Sequence, residues 1–195
     1  MPKIVDHDRY RQEILTKCFD LFAQRGYGSL TMRQIAKEIG VSTGTLYHYF
    51  SSKEDLFVQL IEEITEQDIL HATDLMENQS LDTMEEKILA LGQFIFKNED
   101  YFYKQTLLYM NFFQQLDLEQ QQLVEAVKRS YKRYQEETME FLGIYDLAIA
   151  NHISCFIDGL IFQRAFDPES LDIQQQMDLL AKMLSAYLSS KHSDS

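Results

Sequence analysis

The 195-residue chain contains no tryptophan, two cysteines, two prolines and seven glycines. So few breakers exclude a multi-stranded β-sandwich or barrel, whose turns need Gly and Pro. Neither G-x-G-x-x-G nor G-x-x-x-x-G-K-[ST] occurs, which removes the common Gly-rich phosphate cradles. Cys18 and Cys155 form no disulfide framework and no metal signature. Each lies among apolar residues at helical spacing and reads as a small buried hydrophobe in a reducing compartment. No apolar run approaches the roughly 18 residues of a membrane span. Met1-Pro2-Lys3-Ile4-Val5-Asp6 lacks the apolar segment of a signal peptide. The expectation is a soluble, cytoplasmic protein without a membrane partner.

What is present is a helical pattern. Hydrophobic residues make up 45% of the chain, enough for a sizeable core. Leu, Ile, Gln, Glu, Lys and Met recur at helical spacing, so the expected class is all-α. The net charge of −13 is unevenly spread. Residues 1–60 carry eight basic and seven acidic side chains, and residues 61–195 carry ten and twenty-four. A near-neutral N-terminal segment before an acidic remainder suggests two tasks.

The first helix is expected over 8–25, its stripe formed by Ile14, Leu15, Cys18, Phe19, Leu21 and Phe22, with Gly26 at its C-cap. Thr31 and Gln34 have capping-box spacing at the start of a second helix, whose apolar face is Met32, Ile35, Ala36 and Ile39 and which Gly40 closes. Gly40-Val41-Ser42 is a very short turn, and Ser42 is a good N-cap for a short third helix over 43–50. Ser52 and Asp55 start a long fourth helix reaching about residue 76. Further helices are expected near 81–97, 100–114, 118–142, 146–166 and 172–190, with Asp117 and Gln120 capping the third of these. The segment 189–195 reads as a disordered tail.

Helix, tight turn, short helix is the helix-turn-helix pattern, whose second helix enters a DNA major groove. Ser42, Thr43, Thr45, Tyr47, His48 and Tyr49 put hydrogen-bonding groups on that short segment. Gly44 lets backbone approach closely, Leu46 and Phe50 hold the inner face, and Lys53 adds a charge for the flanking phosphates. A polar face that meets only water is the bland alternative, and the spacing of the whole motif favours DNA.

Phe22-Ala23, Gly26-Tyr27, Thr31-Met32-Arg33-Gln34-Ile35-Ala36, Gly40-Val41-Ser42, Gly44-Thr45-Leu46-Tyr47-His48-Tyr49-Phe50 and Ser52-Lys53-Glu54-Asp55-Leu56 together resemble the N-terminal domain of the TetR family of bacterial transcriptional regulators. The likeness is dense from about Arg11 to Phe57. Asp158-Gly159-Leu160 is similar to the dimer helix of that family. The resemblance implies a homodimer on a partly palindromic double-stranded DNA operator and a helical C-terminal domain whose ligand controls DNA affinity. By position it implies DNA contacts from Thr31, Arg33, Ser42, Thr43, Gly44, Thr45, Tyr47, His48, Tyr49 and Lys53. Residues 1–52 are then the DNA-binding domain and 53–195 the ligand-sensing and dimerising domain. A ligand-responsive repressor is the first reading. An activator of the same fold, or a helical protein-interaction module without DNA binding, are the alternatives.

The remaining candidates lie in the acidic part. Ile149, Ile153, Phe156, Ile157, Gly159 and Leu160 on one helix, with Leu180, Leu184 and Tyr187 on the last, offer broad apolar faces for a four-helix dimer bundle. Aromatic residues crowd 94–141. They read either as core or as the wall of a cavity for a small apolar or aromatic effector, lined by Phe94, Tyr101, Gln105, Tyr109, Asn111, Phe112, Tyr131 and Tyr134. Lys128, Arg129, Lys132 and Arg133 are flanked by Glu125, Glu136 and Glu137 at helical spacing, which favours a solvated salt-bridged face. His7, His71, His152 and His192 have no metal-ligand spacing. No catalytic constellation is visible, so neither an enzyme nor a cofactor is expected.

Overall fold

The computed structural model describes residues 6–77, 79–115, 120–169 and 171–193. Among these it has nine α-helices and no strand: α1 (His7–Arg25), α2 (Met32–Ile39), α3 (Thr43–Tyr49), α4 (Lys53–Glu77), α5 (Met84–Lys97), α6 (Glu99–Gln115), α7 (Gln121–Leu142), α8 (Leu147–Phe166) and α9 (Ile173–Ser193). The chain is therefore all-α, as its pattern predicts. The start of α5 moves from the expected 81 to 84, because Thr83 and Glu86 form a capping box there. Glu86 accepts from the backbone N–H of Thr83 at 2.9 Å and of Asp82 at 3.0 Å, and these bonds hold its carboxyl below the usual range. Helix α9 continues to Ser193, past the expected 190. Asp117, expected as a cap, lies outside the described residues.

The helices form two compact units. The first comprises Met1–Gln67 and Lys104–Tyr131. Its core is built from one face of each early helix: Ile14, Leu15, Cys18 and Phe22 of α1, Ile35 and Ala36 of α2, Leu46 of α3, and Leu56, Phe57, Leu60 and Ile61 of α4, all buried. Cys18 behaves as predicted, and its burial pushes the thiol up to about 12. Phe112 of α6 belongs to this core. It is 1% exposed, stacks on Phe57 at 4.6 Å between ring centroids and meets the edge of Tyr27 at 5.9 Å. These contacts place it among buried aromatic side chains. The buried hydroxyls of Thr65 and Ser130 satisfy each other at 2.6 Å, and the Thr65 hydroxyl also donates to the Ile61 carbonyl.

The second unit comprises Asp68–Tyr103 and Lys132–Ser195. Helices α5 and α9 pack closely here because Gly92 faces Met177. A Cβ at position 92 would sit 2.6 Å from the Met177 Cγ, so any larger residue forces the two helices apart. Around this contact Ile88, Ile95, Ile149, Ile153, Met177 and Leu180 make a continuous core. Arg164 is a half-buried cation held by Glu99 and by the Leu171 carbonyl. The Tyr134 hydroxyl donates to the buried Asp68 carboxylate at 2.6 Å.

Helix α8 carries apolar residues on more than one of its faces, and this corrects two expectations. Cys155 is exposed, not buried. Ile149, Ile153, Leu160, Leu180 and Leu184, expected at a dimer interface, are consumed by the chain's own core, with Phe156 and Ile157 packed against them. The apolar face left open runs through Cys155, Gly159, Phe162 and Phe166 on α8 and Leu179, Met183 and Tyr187 on α9. Gly159 and Tyr187 are the two expected interface residues on that face. The basic run on α7 is neutralised locally as predicted in kind: Lys128 pairs with Glu125, Lys132 with Glu136, and Arg129 reaches Glu62 rather than the expected Glu125.

Candidate nucleic-acid interface

Local backbone chemistry fixes the angle between α2 and α3. Thr31 and Gln34 close the predicted capping box at the start of α2. At its end Gly40 adopts φ 77° and ψ 31°, a left-handed conformation that favours glycine. The Gly40 N–H bonds to the Lys37 carbonyl at 3.3 Å and the Val41 N–H to the Ala36 carbonyl at 2.9 Å. This pair is a Schellman closure, which stops α2 and turns the chain within three residues. Ser42 then caps α3, accepting from the Thr45 N–H at 2.9 Å. Leu46 and Phe50, both fully buried, anchor α3 from below. The rest of its surface is left outward.

All ten expected DNA-contacting residues lie in this first unit. Thr31, Arg33, Ser42, Gly44, Tyr47 and His48 are exposed, and Thr43, Thr45, Tyr49 and Lys53 are half-buried. Tyr47 is the most open large side chain of α3, at 53% exposure. The hydroxyls of Ser42 and Thr45 are bonded to each other at 2.7 Å, so one of their two protons is committed within the pair and the other is available to a partner. Nothing but the Ser42 hydroxyl comes within 4 Å of where a Gly44 side chain would begin, and the backbone there is open to a ligand surface. Arg33 and Lys37 carry free cationic heads among the described residues, since neither has an ion-pair partner there.

The residues that hold these groups in place were not visible in the sequence. Lys53 donates to the Tyr27 carbonyl at 3.2 Å, with its ammonium 4.2 Å above the centre of the Tyr27 ring. Burial lowers the pKa of Lys53 against the opposing effect of Glu54. Tyr27 itself is buried against Phe22 and Phe57, and burial together with Glu54 raises its hydroxyl. The Tyr49 hydroxyl lies 2.9 Å from His7 Nδ1, and its ring packs beside Tyr10, so the first turn of α1 orients the last turn of α3. Asp55 accepts from the N–H and hydroxyl of Ser51 and from Gln59, while its own N–H bonds to Ser52. These contacts fix the entry of α4. Pairs 26 and 42 residues apart leave no periodic signal in a chain.

The expected effector residues divide between the units. Gln105, Tyr109, Asn111, Phe112 and Tyr131 belong to the first, and Phe94, Tyr101 and Tyr134 to the second. In the first, Asn111 lies against Gly26 and Phe112 in the core. In the second, Phe94 packs edge-on to Phe102, and Tyr134 is bonded to Asp68.

Residues 14–60, which hold every element of this motif, match the family described as bacterial regulatory proteins, tetR family. Over this segment the chain is similar to the TetR family. A regulator of this kind, PksA from Bacillus subtilis, is 38% identical over 32% of this chain and 32% of its own length, so the shared segment spans about a third of that relative. The transcriptional regulator BetI from Vibrio campbellii is 27% identical over 96% of this chain and 98% of its own. The solved structure of the regulator FadR from Bacillus subtilis, in complex with stearoyl-CoA, is similar in fold, with a TM-score of 0.67 and 22% identity over 89% of this chain and 96% of that one. No single described helix is long and apolar enough to cross a membrane.

Proposed function

We propose that this protein is a cytoplasmic, ligand-responsive transcriptional repressor that binds a palindromic operator as a homodimer. The observation that carries the reading is the outward polar face of α3, capped by Ser42 and set by the Gly40 turn on a rigid core. Residues 1–52 serve as the DNA-binding domain and residues 53–195 as the sensing and dimerising domain. Thr45 faces base edges, with Gly44 allowing close approach. Tyr47, His48, Lys53 and Arg33 hold phosphates, positioning the helix without reading sequence, and Thr31, Ser42, Thr43 and Tyr49 complete the contact surface. The dimer forms through the open face of α8 and α9, which doubles the motif about a two-fold axis. A small effector that favours a conformation with the wrong spacing of recognition helices weakens operator binding by linkage.

The test is selection of genomic fragments by the purified full chain, followed by a promoter fusion in cells. The expected product is an inverted repeat whose half-sites lie one helical turn, or a multiple of it, apart. Deleting the gene should raise expression from that promoter. Failure to enrich any fragment over random DNA overturns the DNA-binding reading, and a fall in expression overturns repression.

A further inference from the structure

The second unit contains a cavity of about 340 Å³ between the end of α5, the start of α6, the end of α8 and the start of α9. This size is in the range of small-molecule sites. None of the eight residues expected from the sequence to bind an effector lines it. Its floor is apolar: Ile95, Phe102 and Ile173 are core residues, joined by Ile161 and Ala165. Its polar groups are Glu99, Asp100, Arg164 and the hydroxyl of Tyr103.

The charges of the cavity are unequal in availability. Arg164 is engaged: its Nε and Nη2 donate to Glu99, the latter at 2.9 Å, and its Nη1 donates to the Leu171 carbonyl. Glu99 is correspondingly neutralised. Asp100 is exposed at the rim and has no hydrogen-bond or ion-pair partner among the described residues. An anionic ligand would have to displace Glu99 from its bidentate, half-buried pair with Arg164 and leave that carboxylate unpaired. A cation meets an unpaired carboxylate directly above an apolar floor.

We propose that this cavity binds a small amphiphilic cation, a primary ammonium group on a short apolar tail. The ammonium donates to Asp100, and the tail lies on Phe102, Ile161 and Ile173. Placing the effector here rests on the regulatory reading above; the binding itself does not.

The test is calorimetric titration of the full chain with three probes of equal tail length: octylammonium, octanol and octanoate, each below its micellar concentration. Octylammonium should bind about tenfold more tightly than octanol, the ~1.4 kcal/mol of one charge-assisted hydrogen bond, and octanoate more weakly than either. Asp100→Asn, a change at an exposed side chain, should erase the advantage of octylammonium and leave octanol unchanged. Ala165→Leu and Ile161→Phe should fill the floor and weaken all three, with folding checked by circular dichroism. Octanoate binding as well as octylammonium, unaltered octylammonium affinity in Asp100→Asn, or unaltered binding in a folded floor variant overturns the proposal. Operator affinity with and without octylammonium is a separate readout. Binding that leaves operator affinity unchanged overturns the effector role and leaves the site standing.

Discussion

The ammonium of Lys53 rests 4.2 Å above the Tyr27 ring while donating to the carbonyl of the same residue at 3.2 Å. This lysine therefore enters any complex with its stem already ordered and its head partly desolvated. Ordering entropy that a free surface lysine loses on binding has been lost in folding. Lys53→Ala should weaken binding to all DNA sequences alike and reduce the salt slope by about one counterion. Tyr27→Leu should keep the charge but release the stem, giving an intermediate loss with an unchanged salt slope. Fluorescence anisotropy across a salt series reads both. A change in base preference in Lys53→Ala overturns the phosphate assignment.

Ser42 separates folding from binding. Its hydroxyl caps α3 and is shared with Thr45. Ser42→Ala should cost about 1 kcal/mol of stability, the usual effect of a lost N-cap. Ser42→Asp keeps a capping oxygen and suits the positive end of the helix, so stability should be nearly retained. The new charge faces phosphates, so operator affinity should fall more in Ser42→Asp than in Ser42→Ala. Urea denaturation and anisotropy give opposite rankings of the two variants on this account. The same ranking in both would mean that the residue acts only through helix stability.

The helix-turn-helix was legible because each of its parts is a short-range device. Gly40, Ser42 and the pair Thr31 and Gln34 act within three or four residues, and a reader of the chain sees the same spacing that the backbone uses. The face of α8 that remains open was not legible. Ile153 and Phe162 are equally apolar in the sequence, and only the partners supplied by α5 and α9 decide that the first is core and the second surface. Phe112 poses the same difficulty. Aromatic crowding is compatible with a cavity or with solid packing, and the choice rests on Phe57, 55 positions away in the chain. The cavity in the second unit left no mark at all, since its floor is made of ordinary core residues from four separated segments.

Asp55 makes stability depend on acid. Burial alone would raise its carboxyl, but bonds from Gln59 and from the N–H and hydroxyl of Ser51 outweigh it and hold the pKa below the ordinary value. A carboxyl depressed in the folded state contributes stability that is fully present above its unfolded pKa of about 3.9 and is lost as pH falls through the folded value. Asp55→Asn should therefore be about 1 kcal/mol less stable than the parent at pH 7, allowing for partial solvent screening. The gap should begin to narrow below about pH 4 and close as pH falls through the depressed folded value. Urea midpoints at pH 7, 4 and 3 read this directly. A gap that stays constant across the series would show that the loss is steric and not electrostatic.

The last prediction concerns the open apolar face of α8 and α9. Phe166 is 73% exposed, Met183 56% and Leu179 51%, and Phe162 meets Phe166 edge to face at 4.9 Å. Exposed large apolar side chains grouped on one helix face mark an association site. Gly159 lies on the same face with nothing within 4 Å of where a side chain would begin, which leaves room for a close helix crossing. Met183→Asp should yield a folded monomer, because Met183 contributes nothing to the chain's own core. Ile153→Asp, by contrast, buries an unpaired carboxylate and should unfold the second unit. Operator affinity should fall steeply in the monomer, since one recognition helix loses the simultaneous engagement of its twin. Sedimentation velocity distinguishes the outcomes. A Met183→Asp protein that remains dimeric, together with a second face variant, Phe162→Asp, that also remains dimeric, would place the two-fold contact elsewhere on the molecule.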